Sequence, residues 1–363
     1  MIVLKKEKIV FGLLFLSGTL LYFFTEISYA SLFLTGICVY GIIGFTVSGI
    51  SGKKTDLYFD GEKKCEKGSQ LEVTLHMKNN SKIPIWNGEI LLRVKNKLTG
   101  EQTEVKKTMF LLPLQSKQAN FYLEAHFCGC IEVVVEKMKI SDPFGIFTKE
   151  RKFHMENRYY VFPKLMEVDF TSEQLNQYDM ESYKYSALKS GEDTSETFGI
   201  REYKEGDSLK SIHWKLTGKM ENLIVREASL PVENSVMILL DKREREEISA
   251  DKKDKLTEMF LSLSNTIIKN GIQHSIGWYN YELEKFEQYR IQSTEDIYVI
   301  IGELLSCPHC KDEISTVDRF IESDAWKEYS NYLYVTESDT AERETEKLMN
   351  YGNVEIYRTR EFS

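Results

Sequence analysis

Three changes of residue pattern along the 363-residue chain predict a multi-domain fold: a transmembrane helical hairpin, an antiparallel β-sandwich, and a closing α/β body whose sheet is mostly parallel. Residues 9–24 and 27–50 are uncharged apolar runs. From 56 to about 156 apolar and polar residues alternate with period two, the pattern of half-buried strands. After Ser235, short continuously apolar segments alternate with amphipathic ones at helical spacing. The boundaries that follow are 1–54 for the membrane anchor, 55–157 for the sandwich, 158–190 for a connector and 191–363 for the last part.

The first apolar run, IVFGLLFLSGTLLYFF, would be only about 24 Å long as a helix, so it must borrow flanking residues to cross a bilayer core. The second is long enough. Lys5, Lys6 and Lys8 precede the first run and Lys53 and Lys54 follow the second, while the turn between them carries only Glu26. Positive residues mark the cytoplasmic side, so the expectation is a two-helix cell-membrane anchor with the N-terminus and the large soluble region in the cytoplasm. The rival reading takes the first run as a signal peptide cleaved near Ala30, which would export the rest.

In the second segment Leu71, Val73, Leu75 and Met77 alternate with polar residues, as do Ile90, Leu92 and Val94, then Ala119, Phe121, Leu123, Ala125 and Phe127, then Ile131, Val133 and Val135. Asn79-Asn80 and Cys128-Gly129-Cys130 are turn candidates, and Ser141-Asp142-Pro143-Phe144-Gly145 closes the unit. About seven short strands in this length suggest an immunoglobulin or fibronectin type of sandwich. Residues 158–190, through Tyr178, Tyr183 and Tyr185, read as an irregular connector.

The last segment opens with the apolar strand SVMILLD, followed by an amphipathic helix over Asp251–Asn270 with Leu256, Met259, Phe260, Leu263 and Ile267 on one face. A strand at Ile272–Tyr279, a helix near Glu295–Leu305, a strand at Tyr332–Thr336, a helix over Thr340–Asn350 and a strand at Val354–Tyr357 continue the alternation, which implies a sheet covered on both faces. No glycine-rich phosphate loop opens these helices, which argues against a nucleotide and leaves no cofactor indicated.

A net charge of −9 and a pI near 5.4 leave no basic footprint for nucleic acid. The six cysteines form no disulfide framework. The CPHC run at 307–310 has the spacing of half a zinc site or of a redox motif; a zinc site would need Cys128 and Cys130 as its second pair, and reduced thiols are the simpler reading.

The densest stretch is Phe198–Lys219, FGIREYKEGDSLKSIHWKLTGK. Asp207 or Ser208 can cap a helix after the Gly206-Asp207 turn, with Leu209, Ile212 and Leu216 at helical spacing and Gly218 as its stop. Arg201, Lys210, His213, Lys215 and Lys219 are candidates for an anion site. The structural alternative has Trp214 packed between the sheet domain and its neighbour, Asp207 as a cap, and Arg201 paired with Glu205 or Glu227.

Gly191, Arg201, Tyr203, Gly206, Asp207, Ile212, His213, Trp214 and Lys215, then Leu223, Val225 and Glu227, then Met237–Asp241, make the chain resemble the domain-of-unknown-function 58 family. Ser-Asp-Pro-Phe-Gly-Ile-Phe at 141–147 and Tyr-Val-Phe-Pro at 160–163 add to the likeness. The resemblance implies a bacterial membrane protein with a von Willebrand factor A-like domain. It also implies a MoxR-type AAA+ ATPase as partner and, in some cases, a transglutaminase-like membrane protein. Von Willebrand A domains that bind Mg²⁺ use Asp-x-Ser-x-Ser after their first strand; here Asp241 keeps the Asp, but Arg243 and Arg245 replace the serines. A guanidinium repels a cation, so no metal is expected and Asp241 is expected to pair with one of these arginines.

No nucleophile is placed beside His213, and no paired carboxylates stand out. What the resemblance implies, and the expected function, is a non-catalytic, membrane-anchored adaptor for the ATPase in an envelope-related or complex-maturation process, with Arg201, Tyr203, Gly206, Asp207, His213, Trp214 and Lys215 as its docking motif. The alternative is a hydrolase of envelope precursors centred on His213 and Asp207. An outward-facing, metal-dependent adhesion module would require the exported topology.

Overall fold

The computed structural model describes residues 6–24, 28–61, 63–178, 184–191, 193–204, 208–220, 222–232, 235–244, 248–324, 326 and 329–361. Two helices open it, α1 (Lys6–Phe24) and α2 (Ser28–Lys53). Both are long and apolar enough to cross a membrane. α1 begins at Lys6 rather than at residue 9, and its 19 residues extend about 28 Å, which removes the shortfall of the apolar run alone.

The chain divides into two units: Met1–Asn96 with Glu101–His126 and Cys130–Phe162, and Lys97–Gly100 with Phe127–Gly129 and Pro163–Ser363. After the helices come β1 (Thr55–Asp60), β2 (Lys64–Glu66), β3 (Gln70–Asn79), β4 (Ile85–Asn96), β5 (Gln102–Leu111), β6 (Ser116–Glu124), β7 (Gly129–Ser141) and β8 (Thr148–Phe162). They form two sheets, ordered β1-β3-β6 and β2-β8-β7-β4-β5. The alternating residues Leu71, Val73, Leu75 and Met77 of β3 and Phe121 of β6 share one buried core with Ile90 and Leu92 of β4 and Val133 and Val135 of β7. Eight strands thus replace the expected seven, and β2 pairs parallel to β8 in an otherwise antiparallel set. β8 also corrects the boundary: Ser141–Gly145 is a turn inside the unit, and the chain re-enters the sheet and runs past 157 to Phe162.

That turn meets the helical pair. Asp142 is fully buried and accepts the backbone N–H groups of Phe144 (3.2 Å) and Phe147 (2.5 Å) and the hydroxyl of Tyr40 on α2. The Phe147 ring stands edge-on to Phe11 of α1 and Phe45 of α2. A Cβ at position 44 would lie 2.9 Å from that ring, so Gly44 is what allows the approach.

The second unit contains α3 (Ser172–Tyr178), β9 (Lys184–Gly191), β10 (Asp193–Glu202), a 3₁₀ turn at Leu209–Ser211, α4 (Trp214–Met220) and β11 (Ile224–Val232). It continues with β12 (Val236–Leu240), β13 (Arg243–Glu244), α5 (Ala250–Lys269), β14 (His274–Asn280), β15 (Lys285–Ile291), α6 (Thr294–Ser306), β16 (Cys310–Lys311), α7 (Thr316–Glu322), β17 (Asn331–Val335), α8 (Ala341–Met349) and β18 (Asn353–Tyr357). The main sheet is ordered β15-β14-β12-β17-β18, parallel except for β15. β12 lies at its centre and is buried at every position, as a parallel strand covered on both faces requires. Met237 and Leu239 pack with Tyr332 and Tyr334 of β17, Phe320 of α7 and Leu348 of α8. Ile238 and Leu240 alternate to the opposite face. α5 buries the predicted Leu256, Met259, Phe260, Leu263 and Ile267.

The expected irregular connector is partly ordered. Lys164, Met166 and Val168 donate their N–H groups to Glu258 (3.1 Å), Ser262 (3.0 Å) and Thr266 (3.1 Å) of α5. Every second residue of an extended chain advances about 6.6 Å and every fourth residue of a helix about 6 Å, so the two repeats match for three steps. Further on, β9, β10 and β11 form a separate antiparallel sheet, ordered β10-β11-β9, that period and propensity did not predict.

Between α8 and β18 the chain passes tightly over Ser330: a Cβ at position 352 would stand 2.1 Å from the Ser330 carbonyl oxygen. Backbone cannot swing aside as a side chain does. Gly352→Ala is expected to destabilise this unit by about 1–3 kcal/mol, the range for overpacking, read as a lowered urea midpoint.

Candidate functional site

The Phe198–Lys219 stretch folds as a stitched turn rather than as one helix. Tyr203 N–H donates to Leu223 O (2.8 Å), Ile212 bridges to Val225, and His213 N–H donates to Ile224 O (2.7 Å). The Ile224 N–H in turn reaches Thr217 Oγ1 at 3.0 Å. Because Ile212 and His213 are tied to β11, the expected helix from 207 breaks there, and α4 starts only at Trp214. Gly218 lies inside α4 instead of ending it. The His213 carbonyl accepts the first helical N–H groups, from Leu216 (2.9 Å) and Thr217 (3.0 Å), and its Nδ1 faces Leu216 N–H at 3.4 Å. His213 is thus half-buried and serves as the start of the helix.

Trp214 is 66% exposed, which overturns the expectation that it packs. One residue after a backbone pinned to β11, its side chain projects outward. Ile200 and Leu223 are exposed as well, as are Lys204, Lys210 and Lys215. Arg201 donates to the Glu202 carbonyl at 3.0 Å. Gly206, Asp207 and Glu205, like the side chains of Glu227 and Lys219, fall outside the described residues.

The second cluster lies at the carboxyl end of β12. Leu240 pairs with Val335, so Asp241 and Thr336 emerge side by side, and Asp241 N–H bonds Val335 O at 2.9 Å. The Asp241 carboxylate accepts from Thr316 Oγ1 (2.8 Å), Thr336 Oγ1 (2.8 Å), Tyr334 OH (2.9 Å) and both the backbone N–H (3.1 Å) and Nη2 (3.2 Å) of Arg243. Nη2 of Arg243 also lies 2.9 Å from each oxygen of Glu344 on α8. Glu344 accepts further from Ser338 (2.9 Å) and Tyr334 (3.1 Å).

The predicted pairing of Asp241 with an arginine is what the structure has, and Arg243 is the partner; Arg245 lies outside the described residues. Burial works against the Arg243 cation, and the Asp241 charge with the Glu344 bonds more than offsets it. Burial pushes Glu344 up, yet the bonds from Thr340 and Arg243 bring it below the usual carboxylate range. Burial, with the neighbouring Asp241 and Glu344 charges, holds the Tyr334 phenol far above its ordinary value, so it remains a donor.

Sequence reading missed Glu344, Tyr334, Thr316 and Thr336. Thr336 was accessible in principle, since residues just past the ends of adjacent parallel strands share one sheet edge. Glu344 sits 101 positions from Arg243, and nothing local links them.

Next along the chain, Lys242 turns into the protein. Its fully buried ammonium donates to the carbonyls of Leu304 and Cys307, both at 2.6 Å, and so caps the carboxyl end of α6. Burial lowers its pKa. The six cysteines are free, and among the described residues no three His, Cys, Asp or Glu side chains converge as metal ligands would.

The stitched turn, β11, β12 and the Asp241 that follows it all lie within the segment that comparison with known proteins recognises. Residues 199–291 match the family described as Protein of unknown function DUF58. The matched segment therefore runs from within β10 through Asp241 and Arg243 to the end of β15, while Thr316, Tyr334, Thr336 and Glu344 lie beyond it. Among curated proteins, the uncharacterized protein YeaD of Bacillus subtilis (strain 168) is 19% identical over 191 residues, which are 53% of this chain and 45% of YeaD. The chain thus spans less than half the length of that relative. Solved structures overlap only in part. A Listeria innocua β-glucosidase gives a TM-score of 0.22 at 14% identity, covering 30% of this chain and 16% of the enzyme. The Pseudomonas fluorescens alkylpurine DNA glycosylase AlkC gives 0.23 at 8%, covering 43% of each chain.

Proposed function

We propose that this protein is a membrane-anchored cytoplasmic adaptor that docks a MoxR-type AAA+ ATPase through the turn carrying Trp214, and that it is not itself an enzyme. In this reading α1 and α2 cross the membrane with both ends inside, following the lysine bias. The two-sheet unit is an immunoglobulin- or fibronectin-type spacer, and the α/β body is von Willebrand factor A-like. The observation that carries it is the 66% exposure of Trp214, one residue after His213, whose backbone N–H is bonded to β11, and three before Thr217, whose hydroxyl accepts from β11. A large rigid aromatic held out to solvent resembles the anchor residue of an interface. The exposed Lys204, Lys210 and Lys215 suit an acidic partner surface. His213, the centre of the hydrolase alternative, spends its backbone on β11 and α4, and its Nδ1 faces the Leu216 N–H, which supports a structural role for it.

Co-purification from solubilised membranes with an ATP analogue present is expected to recover the ATPase. Trp214→Ala should weaken recovery by about tenfold or more, as loss of an interface anchor does. Failure with the unaltered protein would sink the adaptor reading; equal recovery with Trp214→Ala would sink the docking site alone. A cytoplasmic reporter fused at the carboxyl end should be active, and activity of a periplasmic or surface reporter there would reverse the topology.

A further inference from the structure

A divalent-cation site of the kind that metal-binding von Willebrand A domains carry does not fit the residues present, because a side chain fills it. Nη2 of Arg243 lies within 2.9–3.2 Å of carboxylate oxygens from both Asp241 and Glu344, and the Arg243 side chain is 1% exposed. We propose that the Arg243 guanidinium is the resident cation of this cradle, a permanent stand-in for a divalent metal, and that the oxygen set around it is a latent metal site masked by this one side chain.

Three observations support the assignment. Two carboxylates converge on one nitrogen, so the pocket holds more negative charge than a single guanidinium cancels. The hydroxyls of Thr316, Tyr334, Thr336 and Ser338 bond those carboxylates and supply further hard oxygen donors, the ligand type that Ca²⁺, Mg²⁺ and Mn²⁺ prefer. Finally, Nη1 of Arg243 is buried with no hydrogen-bond partner. The guanidinium therefore satisfies the cradle as a charge but not as a fork of five donors.

Size predicts which ion would enter. Ca²⁺ binds oxygen at about 2.3–2.6 Å and Mg²⁺ at about 2.0–2.1 Å, so walls set for contacts near 3 Å must close least around the larger ion. In the natural protein the cradle is already charged, so its geometry is independent of metal supply. This inference does not rest on the adaptor reading.

The test is thermal unfolding of the full-length protein in detergent, with and without Ca²⁺, Mn²⁺ or a chelator, together with calorimetric titration. The unaltered protein should show no shift with any of them. Arg243→Ser should melt lower without metal, regain stability with Ca²⁺ or Mn²⁺, and take up the ion saturably; adding Glu344→Gln should abolish the gain. If Arg243→Ser folds only when Ca²⁺ or Mn²⁺ is present, the proposal stands. It fails if the variant folds without binding either ion at millimolar concentration, if it stays unfolded with both, or if chelation lowers the melting temperature of the unaltered protein.

Discussion

Asp241→Ala is expected to destabilise the α/β body by about 3–5 kcal/mol, the cost of breaking a buried ion pair by removing one partner. Asp241 is 3% exposed and accepts five hydrogen bonds. Arg243 and Tyr334 retain Glu344 as an acceptor, but Thr316 and Thr336 lose the carboxylate that they share. Hydrogen exchange of the β12 amides reads the effect locally, without requiring the whole chain to unfold in one step. A change below about 1 kcal/mol would mean that the cluster relaxes to water and holds nothing together. The double variant Asp241→Ala with Arg243→Ala should cost less than the sum of the two, because the remaining carboxylate and hydroxyls then have no stranded guanidinium to serve.

The second large effect is on pH dependence. His274 is buried, its Nδ1 pairs with Ile272 O (3.1 Å) and its Nε2 with the Ser264 hydroxyl (2.7 Å), which it can accept while the ring is neutral. Burial lowers its pKa to about 4. The unfolded chain, titrating near 6.5, binds more protons between these values, so stability is full above about pH 6.5 and falls as pH drops toward 4. The loss amounts to about 3 kcal/mol. His274→Gln should flatten this part of the stability–pH curve; an unchanged slope would assign the dependence to other groups.

Sequence periodicity made most of the α/β body legible because its strands are central. A strand buried on both faces, such as VMILL, is continuously apolar, and α5 repeats its apolar residues on one face. Edge and accessory elements carry no such signal. β15, KFEQYRI, is half-buried, and α7 has only seven residues. β9, KYSALKSG, shows no clear alternation, and its place is fixed by pairing with β11 instead. Helical spacing over 209–216 misled because Ile212 bonds across to Val225, a tertiary contact that local spacing does not encode. The pairing of Asp241 with Arg243 was readable from adjacency, whereas the rest of its cradle depended on which strands lie side by side.

The turn at Asp142 has a mechanical meaning. α2 ends at Lys53 and β1 begins at Thr55, leaving one residue between helix and strand, while a second attachment point is made where Phe147 lodges at Gly44 between Phe11 and Phe45. One point of attachment permits swivelling; two, separated along the helix, remove it. The two-sheet module is therefore held to the helical pair at two places rather than hung from a single tether.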